Sequence, residues 1–140
     1  MARLGSGETA AQVGKEEPGP HILVADDEPA IRSLMIRALG LDNLHAHSVA
    51  SGGEALQALE EGRFDLLVLD YKLPDLNASQ VIEEMDALPV DKRVPIVLVT
   101  GRISYTSDPI DTPHIKDVLT KPFALEIFRR TVAKALRRAG

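Results

Sequence analysis

Two hydrophobic rhythms take turns along this chain. Short apolar runs, Ile22-Leu23-Val24-Ala25, Leu66-Leu67-Val68-Leu69, Ile96-Val97-Leu98-Val99 and Val118-Leu119, read as strands. A weaker alternation over Leu44 to Val49 reads as another. The expected strand spans are 22–26, 44–49, 64–69, 94–99 and 118–120. Between them, apolar residues recur three and four apart. Ile31, Leu34, Met35 and Ala38 form a helical stripe. It opens at Pro29, whose missing N–H has no partner in a first turn, and stops at Gly40. Ser51 and Glu54 have the spacing of a capping box ahead of Ala55, Leu56 and Leu59, and Gly62 ends that helix. Asn77 and Gln80 repeat the pairing ahead of Val81, Met85 and Leu88. Leu125, Phe128, Val132 and Leu136 give a last amphipathic helix.

Strands that alternate with helices argue for an α/β domain, a doubly wound parallel sheet with helices on both faces and right-handed crossovers. One segment refuses the pattern. Arg102 to Asp117 should hold the fourth helix but carries Pro109, Pro113 and a Ser-Tyr-Thr-Ser-Asp cluster. A proline inside a helix costs about 3 kcal/mol. A short or irregular helix, or mostly loop, is expected there. Residues 1–20, rich in glycine and without period, read as a disordered leader or linker, with the folded domain over 21–140.

The strand-like runs share a second property. They end in Asp26-Asp27, Asp70, Thr100 and Lys121. In an open parallel sheet, ligands bind outside the carboxyl ends of the strands. Three carboxylates, a hydroxyl and an ammonium therefore meet on one rim, a set able to hold a divalent cation and a phosphoryl group together. Each residue has a plainer reading. Asp26 and Asp27 could be a solvated acidic turn that suits a helix dipole. Asp70 could be a cap, Thr100 a strand residue with Gly101 leaving space beyond it, and Lys121 a solvated charge. The combination carries the weight.

Composition narrows the field. The chain has 140 residues, 44% hydrophobic and 26% charged, which suits one soluble domain with a real core. A net charge of −5 speaks against a general nucleic-acid binder. Arg129, Arg130, Lys134, Arg137 and Arg138 of the last helix read as a solvated face or a protein contact, so no direct DNA binding is expected. There is no cysteine, hence no disulfide and no thiolate metal site. No apolar stretch reaches the length of a membrane span, and a cytoplasmic location is expected by elimination.

The segments His21-Ile-Leu-Val-Ala-Asp-Asp-Glu-Pro29, Asp65-Leu-Leu-Val-Leu-Asp-Tyr-Lys-Leu-Pro74, Val97-Leu-Val-Thr-Gly101 and Leu119-Thr-Lys-Pro-Phe123 resemble those of the receiver domains of two-component response regulators. The resemblance covers roughly residues 21 to 139, with the signature positions in order. It implies a flavodoxin-like fold with strand order 2-1-3-4-5. Asp70 would take a phosphoryl group from a sensor histidine kinase or a histidine phosphotransfer protein. Asp26 and Asp27 would organise Mg²⁺ with Asp70 and the backbone carbonyl of Lys72, and Thr100 and Lys121 would hold phosphoryl oxygens. The result would be a phosphorelay domain, not an enzyme in the ordinary sense, that switches a surface for a downstream protein. The resemblance also suggests a cis Lys121–Pro122 bond.

Three departures stand out. Val118 occupies a position where most receivers carry an aromatic residue that swings inward. The fourth-helix segment is irregular. Lys72 places a second ammonium near the site and is expected to slow loss of the phosphoryl group. Lys72 also sets aside the haloacid-dehalogenase-type phosphatases, which need an acid there, and no Walker loop is present. Two rivals concern context: a receiver segment of a hybrid sensor kinase or larger regulator, and a pseudo-receiver that works without phosphate. The intact acidic and basic set argues against the second. Homodimer formation is left open.

Overall fold

The computed structural model describes residues 18–101, 110 and 112–139. Its elements are β1 (His21–Ala25), α1 (Pro29–Leu41), β2 (His45–Val49), α2 (Gly52–Glu61), β3 (Leu66–Asp70), α3 (Ala78–Met85), a 3-10 turn (Val90–Lys92), β4 (Ile96–Gly101), β5 (Ile115–Lys121) and α4 (Leu125–Ala139). The five strands form one parallel sheet in the order β2-β1-β3-β4-β5. The expected irregular fourth helix falls largely on residues outside those described, as does most of the expected leader. Pro18 and Pro20 already contact β2: their carbonyls accept from His45 Nε2 at 2.8 Å and His45 N at 3.0 Å.

Alternation along the strands builds two cores. Leu23, Leu67, Leu69, Ile96 and Leu98 face α2 and α3, packing with Ala55, Leu59, Val81 and Met85. Ile22, Val24, Val68, Val97 and Val99 face α1 and α4, packing with Met35, Leu39, Phe128 and Val132. The strands β1 and β3 are buried at every position, which is why they read as unbroken apolar runs. Each fully buried aliphatic side chain contributes about 1.5–3 kcal/mol.

Local signals were kept in part. Asn77 and Gln80 form the full reciprocal box, at 2.9 Å in each direction. Ser51 accepts from Glu54 N at 3.2 Å, but the Glu54 carboxylate reaches Ala50 N instead of closing on Ser51. The stripe of α1 is shifted: Leu34 is exposed, and Leu39 takes its place in the core beside Met35 and Ala38. Gly40 does not stop α1, which runs on to Leu41 because the backbone N–H of Asp42 still finds the Leu39 carbonyl at 3.0 Å. The strand β5 starts at Ile115, earlier than its apolar pattern, because an edge strand tolerates the half-buried Lys116 and Asp117. Conversely, β3 starts late, at Leu66, where Asp65 has turned its carboxylate to His21 N at 2.8 Å.

The loop from β3 to α3 is tied to the start of α2. Asp75 accepts from Gly52 N and Gly53 N, both at 2.8 Å, and these bonds hold its carboxyl below the usual carboxylate range. A Cβ on Gly52 would lie 2.9 Å from Leu76 Cβ. Glycine is required here by close approach. Gly52→Ala should therefore lower the unfolding free energy by about 1–3 kcal/mol, read by urea denaturation. An unchanged midpoint would mean that the loop moves aside freely.

Candidate functional site

Strand register brings the candidate residues together. Ala25 pairs with Leu69, so Asp26 and Asp70 leave the sheet side by side. Asp70 pairs with Val99, and Gly101 with Lys121, which sets the tip of β5 across from the tip of β3. The rim lies where β1 hands the chain to β2 on one side and β3 on the other, the switch point of a doubly wound sheet.

The carboxylate oxygens of Asp26, Asp27 and Asp70 lie within 4.8 Å of one another. Asp26 and Asp70 are buried, and Asp27 is exposed. Lys121 Nζ lies beside this group, 3.0 Å from Asp26 Oδ2, 3.1 Å from Glu28 Oε1 and 3.3 Å from Asp70 Oδ2. The Lys121–Pro122 bond is cis, as expected. Asp26 Oδ1 accepts from Glu28 N at 2.9 Å. Asp26 Oδ2 is fully buried and accepts no well-directed hydrogen bond.

Electrostatics follow from this crowding. Burial, and next the neighbouring Asp26 carboxylate, push the Asp70 carboxyl up from 3.8 to about 6, against the pull of Lys121. Burial alone would lower the Lys121 ammonium, but its contacts with Asp26, Asp70 and Glu28 outweigh that and leave it raised. The site is a place where one cation answers several anions. A divalent cation fits it on chemical grounds: the donors are all carboxylate oxygens, one of them buried without a well-directed hydrogen bond, and hard cations such as Mg²⁺ take oxygen ligands.

Not every candidate faces the cluster. Thr100 is buried, and its hydroxyl donates to the Gly101 carbonyl at 2.9 Å. Among the described residues, its chain neighbours apart, no heavy atom lies within 4 Å of a Cβ built on Gly101. Lys72 follows the tip of β3 with its side chain exposed, in a loop closed by a Lys72–Asn77 bridge. Val118 packs half-buried against the α2 and α3 side of the core. Two residues escaped the reading of the sequence. Glu28 is a direct partner of Lys121, and the signal was an acidic run of three, Asp26-Asp27-Glu28. Asp75 anchors the loop after Asp70, a role that spacing alone did not disclose.

Among the described residues no helix is long and apolar enough to cross a membrane. Known proteins extend the picture. The family model of the response regulator receiver domain matches residues 22–133. The transcriptional regulatory protein TcrA of Mycobacterium tuberculosis is 35% identical over 124 residues, covering 87% of this chain and 47% of that protein. The transcriptional regulatory protein PrrA of the same species is 31% identical over 122 residues, covering 86% and 52%. The chain thus spans about half the length of these curated relatives. Of solved structures, the response regulator TrrA of Thermotoga maritima in complex with Mg²⁺ and BeF aligns with a TM-score of 0.72 at 29% identity, covering 84% of this chain and 99% of that one. The receiver domain of the sensor histidine kinase PA1611 of Pseudomonas aeruginosa, with a magnesium ion in its active-site cleft, aligns with a TM-score of 0.76 at 24% identity, covering 86% and 99%. An acidic rim on a sheet of this order, found together with these matches, leads to one conclusion: the chain belongs to the response regulator receiver domains, the phospho-acceptor signalling domains of two-component systems.

Proposed function

We propose that Asp70 is the phospho-acceptor of this chain and that a phosphohistidine of a sensor kinase or phosphotransfer protein is its donor. The observation that carries this reading is the convergence of Asp26, Asp27 and Asp70 at the carboxyl edge of the sheet, with the Lys121 ammonium against Asp26 and Asp70. In the transfer, an Asp70 carboxylate oxygen forms the bond to phosphorus, and the phosphorus–nitrogen bond of the donor breaks to release imidazole. Such a step needs positioning and charge neutralisation more than covalent help. Asp26, Asp27, Asp70 and the Lys72 carbonyl would hold Mg²⁺, which supplies positive charge against the crowded oxygens. Lys121 pairs with the transferred group. Thr100 leaves the Gly101 carbonyl to meet a phosphoryl oxygen, and that carbonyl, on an exposed residue, passes to water. The move couples a local charge change to the tip of β4.

The wider context is part of the same proposal. The domain works in the cytoplasm within a regulator or a hybrid kinase and switches a contact with a downstream protein. We read the basic face of α4 as a solvated face or protein contact and not as a DNA reader, a reading supported by the ties of Arg129 to Asp42 at 2.6 Å and of Arg138 to the Lys116 carbonyl at 3.0 Å. With Val118 in place of an aromatic ring, the inward swing of a large side chain is not the output step.

Three outcomes are expected. A small phosphodonor with Mg²⁺ should add one phosphoryl mass to the wild type, and Asp70→Asn or chelation should abolish the gain. Robust labelling of the Asn variant elsewhere on the chain would sink the assignment. Without divalent cations, Asp70 should cost stability as pH rises. Its folded pKa of about 6 exceeds 3.8, so the folded state holds the proton longer than the unfolded chain. The favourable contribution is complete below pH 4 and lost through pH 6. Asp70→Asn should then be more stable than wild type by roughly 2–3 kcal/mol at pH 7–8, with the difference closing near pH 4. A difference that ignores pH would show that Asp70 is not strained. Finally, this chain should show no sequence-dependent DNA binding in a mobility-shift assay at physiological salt, and a tight specific complex would overturn that part.

A further inference from the structure

We propose that Glu28 is a positioning residue for Lys121: its carboxylate holds the ammonium at the outer rim of the site and yields it to the incoming phosphoryl group. The inference rests on the reading of Asp70 as phospho-acceptor.

Three observations lead there. First, the two well-directed hydrogen bonds of Lys121 go to Glu28 at 3.1 Å and Asp70 at 3.3 Å. Asp26 Oδ2, fully buried, is in ion-pair contact with the same nitrogen at 3.0 Å but off the direction of a good hydrogen bond. An ammonium left alone with a buried carboxylate should aim a hydrogen at it, because the unsatisfied oxygen has no water to turn to. Glu28 holds the same ammonium from the solvent side. Second, Glu28 stands at the N-cap of α1, in extended backbone, yet its side chain caps nothing. Carboxylates are favoured next to the free N–H groups of a first turn. Glu28 gives up that place to reach Lys121. Third, three carboxylates already crowd the ammonium at 3.0–3.3 Å, so a phosphoryl oxygen that comes into contact with it takes the place of one. Asp26 is buried and cannot leave, and Asp70 carries the new group. The Glu28 side chain is 59% exposed and can leave into water or toward the first turn of α1. Glu28 is therefore the partner that is exchanged.

The side chain acts through Lys121, so its test must separate position from charge. Phosphoramidate with Mg²⁺ serves as donor, and the labelling rate of Asp70 is read by intact mass. Glu28→Gln should speed labelling by about two- to five-fold, the range set by an exposed ion pair. Glu28→Asp keeps the charge but is too short to reach, and it should speed labelling as the Gln variant does. In a Lys121→Met background the Glu28→Gln effect should vanish. Independently of any donor, the side-chain ¹⁵Nζ resonance of Lys121 should shift in both Glu28 variants. A Glu28→Asp variant that labels at the wild-type rate would overturn the proposal, as would a full Gln effect without Lys121 or an unmoved Nζ resonance. If the wild type takes no phosphoryl mass, the acceptor reading fails instead, while the Nζ spectrum still decides the contact.

Discussion

One ammonium holds the functional end of this molecule together. Lys121 is the close cation for Asp26, Glu28 and Asp70, and those residues arrive from the end of β1, the start of α1 and the end of β3. Carboxylates so near to each other repel, and two of them are out of water, where the repulsion is less screened. The sheet imposes the crowding: β1 and β3 pair in fixed register, and both are buried at every position, so neither can slip to relieve it. The strength of the core is what keeps the charges in place.

The unrelieved part of that repulsion appears as a carboxyl group held well above its ordinary pKa and as a buried oxygen without a hydrogen bond. Perturbed groups of this kind gather at functional sites, although ion-pair networks perturb them too. Here the two accounts merge. A site with too much negative charge is a site prepared to receive positive charge, and the ammonium already present is shared among partners of unequal depth. Asp26 is locked in by burial, while Glu28 stands in solvent and can be exchanged at small cost.

The rest of the fold serves this edge. Asp75 fastens the loop after Asp70 to the first N–H groups of α2, and the Asn77–Gln80 box starts α3 directly beyond it. Asp70 is thus followed by a short loop pinned at both ends. By contrast the Thr100 hydroxyl is tied only to the carbonyl of the exposed Gly101 beside it among the hydrogen bonds described. The Asp70 side of the rim is thus tied into its loop more heavily than the Thr100 side.

Much of this was legible in the residues. Buried parallel strands must be apolar throughout, so their runs and the polar residues that end them stand out, and Asp26, Asp70 and Lys121 could be picked before any fold was known. Helix starts were visible where capping chemistry is local, as at Asn77. What the chain alone did not settle are the matters decided by neighbours distant in sequence. Leu34 fits a helical stripe but faces solvent, since where the stripe points depends on how α1 leans on α4. Ser51 and Glu54 have box spacing, yet Glu54 found Ala50 instead. Thr100 has the right place and a hydroxyl turned to Gly101. Glu28 shows in sequence only as one more acid, and its pairing with Lys121 spans 93 residues. Hydrophobic period and strand-end chemistry are properties of short segments, and the sequence determined them. Which oxygen meets which nitrogen depends on register and helix lean, and only the assembled sheet decided that.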